Sequence, residues 1–199
     1  MTFVLSSTFT DSLAKLTTDE QKLVKTTAFD LQVNPANPGH QFHKLDAARD
    51  KNFWSVRVSS DIRIIIHRSN ESLMLCHVDH HDDAYAWAAR RKVETHPNTG
   101  AAQIVEIRET VKEVLVPHYV DEPVAVKKPL LFSHYSDSDI LSWGVPGEWL
   151  DDVRAADEDG VLDLAEHLPA EAAEAILEVA TGNVPRKPEP LPANESPFL

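Results

Sequence analysis

The sequence predicts an α+β domain over residues 1–95, in which two N-terminal helices lie on one face of a small antiparallel sheet. Apolar residues recur at helical spacing between residues 9 and 31, and three segments between residues 54 and 78 alternate with a period of two. A loop rich in proline and asparagine, residues 34–39, separates the two patterns. Helices followed by a run of strands are typical of the α+β class.

A short first strand at residues 3–5 precedes the helices. Phe9, Leu13 and Leu16 indicate the first helix, because they lie three or four positions apart. Thr17 and Glu20 have the spacing of a capping box, so the second helix begins after Thr17. Its inward face is expected to carry Leu23, Val24, Thr27, Ala28 and Leu31.

Three strands are predicted at residues 54–58, 62–67 and 73–78, joined by short polar turns. Period-two alternation assigns nine apolar residues to the face that covers the helices: Trp54, Val56, Val58, Ile62, Ile64, Ile66, Met74, Cys76 and Val78. The opposite face carries a half-polar set: Ser55, Arg57, Arg63, Ile65, His67, Leu75 and His77. A closing helix is expected to begin after Asp82 or Asp83 and to run to about Lys92.

The second half of the chain differs in charge and in pattern. Residues 1–95 hold 12 Lys and Arg against 12 Asp and Glu, whereas residues 96–199 hold 7 against 20, so the net charge of −13 lies in the second half. We interpret residues 96–133 as a connector, 134–182 as a small acidic helical segment and 183–199 as a disordered, proline-rich tail. Because nucleic-acid binders usually carry a basic excess, only a local basic patch is compatible with that function.

The composition favours a reducing cytoplasm and no membrane span. The single cysteine, Cys76, cannot form an internal disulfide, and no apolar run approaches the roughly 20 residues of a spanning helix. The N-terminus lacks the features of a secretory signal. His80 and His81 are adjacent, which disfavours one shared metal ion, so the sequence predicts neither a metal nor a cofactor.

The half-polar face is the candidate site. If Val58 pairs with Ile62, Arg57 lies opposite Arg63, and if His67 pairs with Leu73, Arg63 lies opposite His77. Such a row would form a phosphate site with imidazoles within reach for proton transfer. The alternative is that four carboxylates merely neutralise the arginines on a solvated face: Asp61, Asp79, Asp82 and Asp83.

The stretch FWSVRVSSDIRIIIHRSNESLMLCHVDHHDDAYAWA resembles the RelE/ParE toxin superfamily, in its arginine-bearing strand followed by a strand and a closing tyrosine. Members with ribonuclease activity cut messenger RNA in the ribosomal A site. The resemblance implies that Arg63 is the strand arginine, that Tyr85 is the closing tyrosine and that His81 stands where a catalytic arginine often stands. Arg57 and His80 are further candidates, although active relatives often carry lysines on the strand of Arg57.

A second resemblance extends into the acidic half. The segments VDHHDDAYAWA and HPNTGA, with FSHYSDSDILSWGVPGEWLDDVRAADEDGVLDLAEHLPAEAAEAILEVATG later in the chain, look like the region ahead of the motor in certain bacterial UvrD-like superfamily 1 DNA helicases. The chain contains no G-x-x-x-x-G-K-[ST] phosphate loop, so it is expected to be a stand-alone or truncated relative of that front region.

Two functions stay open on these grounds. One is a degenerate toxin-fold module that binds a partner: RNA or the ribosome, an antitoxin-like protein, or a DNA-repair or helicase protein. The other is an active, ribosome-dependent endoribonuclease of a toxin–antitoxin system, with Arg57 and Arg63 steadying the phosphate and His80, His81 or Tyr85 moving protons. In a hybrid of the two, the acidic second half covers the arginines and inhibits the domain.

Overall fold

The computed structural model describes residues 1–111, 128–186 and 188–189 of the chain. Its described residues fall into two units, Met1–Val93 and Glu94–Pro197. No helix of the described residues is long and apolar enough to span a membrane.

The first unit is a mixed five-stranded sheet with helices on both faces. Its elements are β1 (Thr2–Leu5), α1 (Ser7–Lys15), α2 (Thr18–Val33), β2 (His43–Lys44), β3 (Phe53–Arg57), β4 (Ile62–Arg68), β5 (Ser72–His80) and α3 (His81–Ala89). The strand order is β1-β5-β4-β3-β2, with β1 parallel to β5 and the other pairs antiparallel. The predicted α+β class is therefore confirmed, and the two-residue edge strand β2 is an addition to it.

Local signals set the start of both N-terminal helices. Ser6 caps α1 by accepting a hydrogen bond from the backbone N–H of Phe9 at 3.1 Å. Thr17 and Glu20 form the predicted capping box at α2, where the Glu20 carboxylate accepts from the Thr17 backbone N–H at 2.9 Å. The inward face of α2 is narrower than expected, because Leu23 is 50% exposed.

The core between these helices and the sheet is formed by ten buried residues: Phe9, Val24, Leu31, Val56, Ile62, Ile64, Ile66, Leu73, Leu75 and Val78. The predictions that Met74 and Cys76 share this face and that Leu75 lies on the opposite face are wrong. The β4–β5 register shifts between Ile65 and Ile66, because β5 carries one extra residue there, Cys76. A bulge of this kind reverses the alternation of faces along the strand.

The chain after β5 also differs from the prediction. Helix α3 begins at His81 instead of after Asp82 or Asp83, and it ends at Ala89. A strand, β6 (Arg91–Thr95), begins where the helix was expected to continue. Strand β6, in which the division between the units falls, forms a two-stranded sheet with β7 (Ala102–Glu106).

The second unit is built mainly from four short helices, α4 (Asp137–Ser142), α5 (Leu150–Ala155), α6 (Val161–Ala165) and α7 (Ala170–Ala180). Ser136 and Asp139 form a capping box at α4, as their spacing suggests. The core of this unit contains Phe132, Ile140, Trp143, Val145, Trp149, Val153, Ala156, Val161, Leu164, Leu168, Ala172, Ala175, Ile176 and Val179. Much of the proposed connector, residues 112–127, and most of the proposed tail, residue 187 and residues 190–199, lie outside the described residues.

Trp149 is the centre of this second core. It is fully buried, and its Nε1 donates to the carbonyl oxygen of Glu106 at 2.9 Å. The guanidinium of Arg108 lies 5.4 Å from the indole centroid and is itself held by Asp152 at 2.7 and 3.1 Å. The ring of His167 stacks on the indole at 5.7 Å between centroids.

His96 organises the turn between β6 and β7. Its Nδ1 accepts backbone hydrogen bonds from Asn98 at 3.1 Å and Thr99 at 3.2 Å, so the ring carries its proton on Nε2 in the neutral form. Gly144 lies directly against this ring and has a φ of +90°.

Candidate functional site

Arg57 and Arg63, which we call the arginine pair, lie opposite each other on β3 and β4. The predicted register of this hairpin therefore holds. Both point to the face of the sheet that α1 and α2 do not cover, since their neighbours Val56, Ile62 and Ile64 belong to the core on the other face.

One carbonyl oxygen of the connecting turn holds both guanidinium groups. Arg57 donates from Nε to Ser59 O at 3.0 Å, and Arg63 donates from Nη1 to the same oxygen at 2.9 Å. Arg63 also donates to Ile62 O at 3.0 Å and to Ser60 O at 3.4 Å. Within the described part of the chain, neither guanidinium lies within ion-pairing distance of a carboxylate, and Nη1 and Nη2 of Arg57 have no hydrogen-bond partner.

His77 is not part of this row, so the predicted row of three is wrong. The β4–β5 hairpin pairs His67 with Met74 instead of the predicted Leu73, and the bulge at Cys76 adds a second shift of one residue. Asp79 therefore lies opposite Arg63, and His77 lies opposite Ile65. The His77 ring lies flat on the indole of Trp87 from α3, with 4.5 Å between centroids and 1° between planes. Burial lowers the pKa of His77 to about 4, against the opposing charge of Asp79.

We therefore expect His77 to stay neutral well below pH 6.5. Because the unfolded chain takes up this proton near 6.5 and the folded chain only near 4, the free energy of unfolding should fall as pH drops through that interval, by at most about 1.4 kcal/mol per pH unit. An NMR titration of the ring measures the pKa of His77, and urea unfolding at each pH measures the free energy of unfolding. His77→Phe keeps the stack on Trp87 and should remove this contribution; a His77 midpoint near 6.5 would contradict the burial.

Helix α3 covers the middle of the face that the sequence suggested to be open. Trp87 contacts both Phe53 and His77, and the hydroxyl of Tyr85 lies 3.1 Å from the hydroxyl of Ser55 on β3. The arginine pair, at the end of the sheet, is the charged part that remains at the surface, with Arg57 exposed and Arg63 half-buried.

His81 and Tyr85 lie together at the start of α3. Their rings are 4.3 Å apart between centroids, and His81 Nδ1 lies 2.8 Å from a carboxylate oxygen of Asp82. The ring of Tyr85 thus packs against His81, while its hydroxyl lies against Ser55. Its ring also lines a half-open cleft of about 200 Å³, whose other walls are His43, Lys44, Leu45, Asp46, Ala47 and Ala48.

His80 stands at the end of β5 between two carboxylates. Its Nδ1 lies 2.5 Å from Asp61 in the β3–β4 turn, and its Nε2 lies 3.8 Å from Glu20 of α2. The hydrogen bond to Asp61 is the main cause that raises the pKa of His80 above its ordinary value. The same bond lowers the pKa of Asp61, and the charge of Arg63 adds to that effect.

A second group of cations was not predicted from the sequence. Lys44 lies 5.9 Å from the ring centroid of Trp54, and the guanidinium of Arg68 lies 5.8 Å from the same ring and 5.4 Å from that of Phe42. Within the described residues, neither cation forms an ion pair with a carboxylate. No local signal joins these four residues, because they come from three separate segments.

Among the described residues there is no group of three or more His, Cys, Asp or Glu side chains arranged to hold a metal ion. Cys76 is fully buried, and burial raises the pKa of its thiol far above the ordinary value. A buried, protonated thiol is neither a metal ligand nor a nucleophile.

No family model and no curated protein matches the chain. Solved structures do show similarity. The toxin–antitoxin complex RelBE2 from Mycobacterium tuberculosis is 24% identical, with 40% of this chain and 96% of that chain covered and a TM-score of 0.33. The YoeB/ParE toxin from Agrobacterium tumefaciens is 14% identical (41% and 99% covered, TM-score 0.34). The RelB–RelE antitoxin–toxin complex from Methanococcus jannaschii is 17% identical (42% and 96% covered, TM-score 0.34). None of these likenesses assigns the chain to a family.

Proposed function

We propose that the first unit is a toxin-fold module that binds the phosphate backbone of single-stranded nucleic acid through the arginine pair without cleaving it. The observation that carries the proposal is that two guanidinium groups meet on one carbonyl oxygen and that, among the described residues, no carboxylate lies within ion-pairing distance of either. Like charges this close repel each other, and an anion between them relieves the repulsion. Guanidinium forks match the geometry of phosphate.

The charge of the unit is compatible with this role only as a local patch, since residues 1–95 are neutral in total. Lys44 and Arg68 do not extend this patch, because Trp54 and Phe42, the rings that they contact, pack against the core on the helix-covered face of the sheet. Phosphate neutralisation supplies most of the affinity of non-specific nucleic-acid binding.

Two of the candidate imidazoles, His77 and His80, favour binding over cleavage. His77 is stacked and has a lowered pKa, and His80 has its Nδ1 engaged by Asp61. A general base needs to lie within hydrogen-bond reach of the proton that it removes. Neither imidazole is free beside the arginine pair in this arrangement.

The test is binding of a short, fluorescently labelled single-stranded RNA, measured by anisotropy at several salt concentrations. The double variant Arg57→Ala/Arg63→Ala should bind at least tenfold more weakly, and the salt dependence should fall by about 1.4 in log–log slope, which corresponds to two lost contacts with a single strand. Lys25→Ala removes an exposed cation from α2 and serves as the matched control. The proposal fails if the native protein does not bind at low salt, or if the double variant binds like the control.

A ribonuclease is the second candidate, favoured by one observation. The Tyr85 hydroxyl lies against Ser55, on the face that carries Arg57, and the His81 ring contacts Tyr85. Expression of the native chain should then arrest growth, and Tyr85→Phe and Arg63→Ala should each relieve the arrest. Growth without arrest at high expression would remove this candidate. The relation to the front region of UvrD-like helicases stays a prediction from the sequence.

A further inference from the structure

His80 acts on the arginine pair indirectly. Its ring contacts the carboxylate of Asp61, and Asp61 interacts with Arg63 by charge. Asp61 belongs to the β3–β4 turn, whose Ser59 and Ser60 carbonyls hold the guanidinium groups. The short contact between His80 Nδ1 and Asp61 Oδ2, 2.5 Å, turns this carboxylate toward the end of β5.

The charged groups around this contact come from three elements. Glu20 of α2 faces His80 from the other side, at 3.8 Å from Nε2, and Asp79 precedes His80 on β5. Arg63 of β4 acts on Asp61 by its charge. Glu20 is engaged by the capping box with Thr17, and Asp79 accepts from the backbone N–H of His80, whereas the Asp61 side chain lies in an exposed turn.

Asp61 therefore has two cations within range, the imidazolium of His80 and the guanidinium of Arg63. Only Ile62 lies between Asp61 and Arg63 in the chain, and the guanidinium of Arg63 already folds back onto the carbonyl oxygens of the turn. If the bond to His80 were lost, the nearest remaining positive charge for Asp61 would be Arg63. A carboxylate on that guanidinium would occupy its donors and neutralise half of the arginine pair.

We propose that His80 is a positioning residue: it holds Asp61 away from the arginine pair, which keeps the pair open to a phosphate group as long as the imidazole is protonated. This inference rests on the proposed function and adds that pH regulates phosphate binding by the arginine pair. It gives His80 a role different from proton transfer, because the imidazole acts through Asp61 and touches no substrate.

The direction of the pH effect follows from the bond to Asp61. That bond raises the pKa of His80, so the imidazolium and its hold on Asp61 are present at low pH and are lost as pH rises through the raised value. Binding of phosphate groups should weaken over the same interval. The dependence on pH is opposite to that of a site in which His80 must lose its proton to act as a general base.

The experiment measures binding of the same single-stranded RNA, without a terminal phosphate, from about pH 5.5 to about pH 8.5, where an unperturbed histidine is the side chain that titrates. Its internal phosphodiesters do not change charge in this range, so any pH dependence belongs to the protein. The native chain should bind roughly tenfold more weakly at the upper end, the size of one lost phosphate contact.

Three variants separate the roles of the two residues. His80→Ala should bind weakly at every pH, whereas Asp61→Asn, whose amide carries no charge, should bind tightly at every pH. The double variant His80→Ala/Asp61→Asn should regain tight, pH-independent binding. If Asp61→Asn keeps the native pH dependence, His80 acts by its own charge and the proposal is overturned. It is also overturned if His80→Ala binds like the native chain at low pH.

A second measurement judges the inference without RNA. The Nε–H resonance of Arg63 should shift with the midpoint of the His80 ring in the native chain and should stay constant in Asp61→Asn. An Arg63 resonance that does not respond to the His80 titration overturns the inference even if RNA binds. Conversely, the Arg63 and His80 resonances could shift together while Arg57→Ala/Arg63→Ala binds RNA as tightly as the native chain. That result would retain the positioning role of His80 and reject the proposed function.

Discussion

Replacing Trp149 by alanine is expected to destabilise the second unit by about 3 to 5 kcal/mol, the usual cost of removing a large aromatic ring from a packed core. The indole is fully buried, and it fills the space between the guanidinium of Arg108 and the ring of His167. Its loss leaves a cavity that short helices and their turns cannot easily close.

The same substitution leaves polar groups without their partners. The Glu106 carbonyl loses its bond from Nε1, and the ion pair of Arg108 with Asp152 loses the ring beneath it. A half-buried ion pair without its packing partner is costly. Because folded domains are stable by only about 5 to 15 kcal/mol, the helices of this unit should lose most of their protection.

Hydrogen exchange in peptides from α5 and α7 measures this effect in the second unit alone, because local opening reports local stability. Trp149→Phe is the matched control: it keeps an aromatic ring between the two neighbours and loses the indole hydrogen bond, so it should cost much less than the alanine variant. Equal exchange in the native chain and in Trp149→Ala would show that the ring contributes little.

Gly144→Ala should have the second largest effect and lower the free energy of unfolding by about 2 to 5 kcal/mol, because overpacking and backbone strain act together. An added Cβ would lie 2.7 Å from Nε2 and 2.9 Å from Cδ2 of His96, closer than real Cβ atoms approach other heavy atoms. The φ of +90° adds the strain of a backbone conformation that side chains disfavour, about 1 to 2 kcal/mol.

The His96 ring cannot easily move out of the way. Its Nδ1 accepts the two backbone hydrogen bonds of the turn, and the side chain is only 2% exposed. Shifting the ring would therefore leave buried N–H groups unsatisfied.

Gly182→Ala is the matched control for the backbone term, because Gly182 has a φ of +84° and an added Cβ would meet no heavy atom within 4 Å. It should cost only the strain of the positive φ. The difference between the two alanine variants in urea unfolding, followed by exchange in the β6–β7 turn, isolates the contact with His96. If the two variants lose equal stability, the close contact of Gly144 with His96 does not contribute to the cost of the substitution.

The sequence by itself was sufficient for the parts of the fold that neighbours in the chain encode. The capping boxes at Thr17 and Ser136 depend on residues three positions apart, and both are present. The opposition of Arg57 and Arg63 followed from a short hairpin, in which the turn length sets the register. For the same reason this pairing is the part of the predicted row of three that the structure contains.

Only the tertiary structure determined the register between β4 and β5 and the packing of α3 on the sheet. A hairpin register one residue away from the predicted one, together with the bulge at Cys76, took His77 out of the predicted row, and its ring stacks on Trp87 instead. Helix α3 covers the middle of the half-polar face. A bulge depends on how side chains from other elements pack against both faces of a strand, and a period-two pattern contains no record of it. The contact of His80 with Asp61 likewise joins the end of one strand to a turn 19 residues away, so only the folded chain brings this imidazole and this carboxylate together.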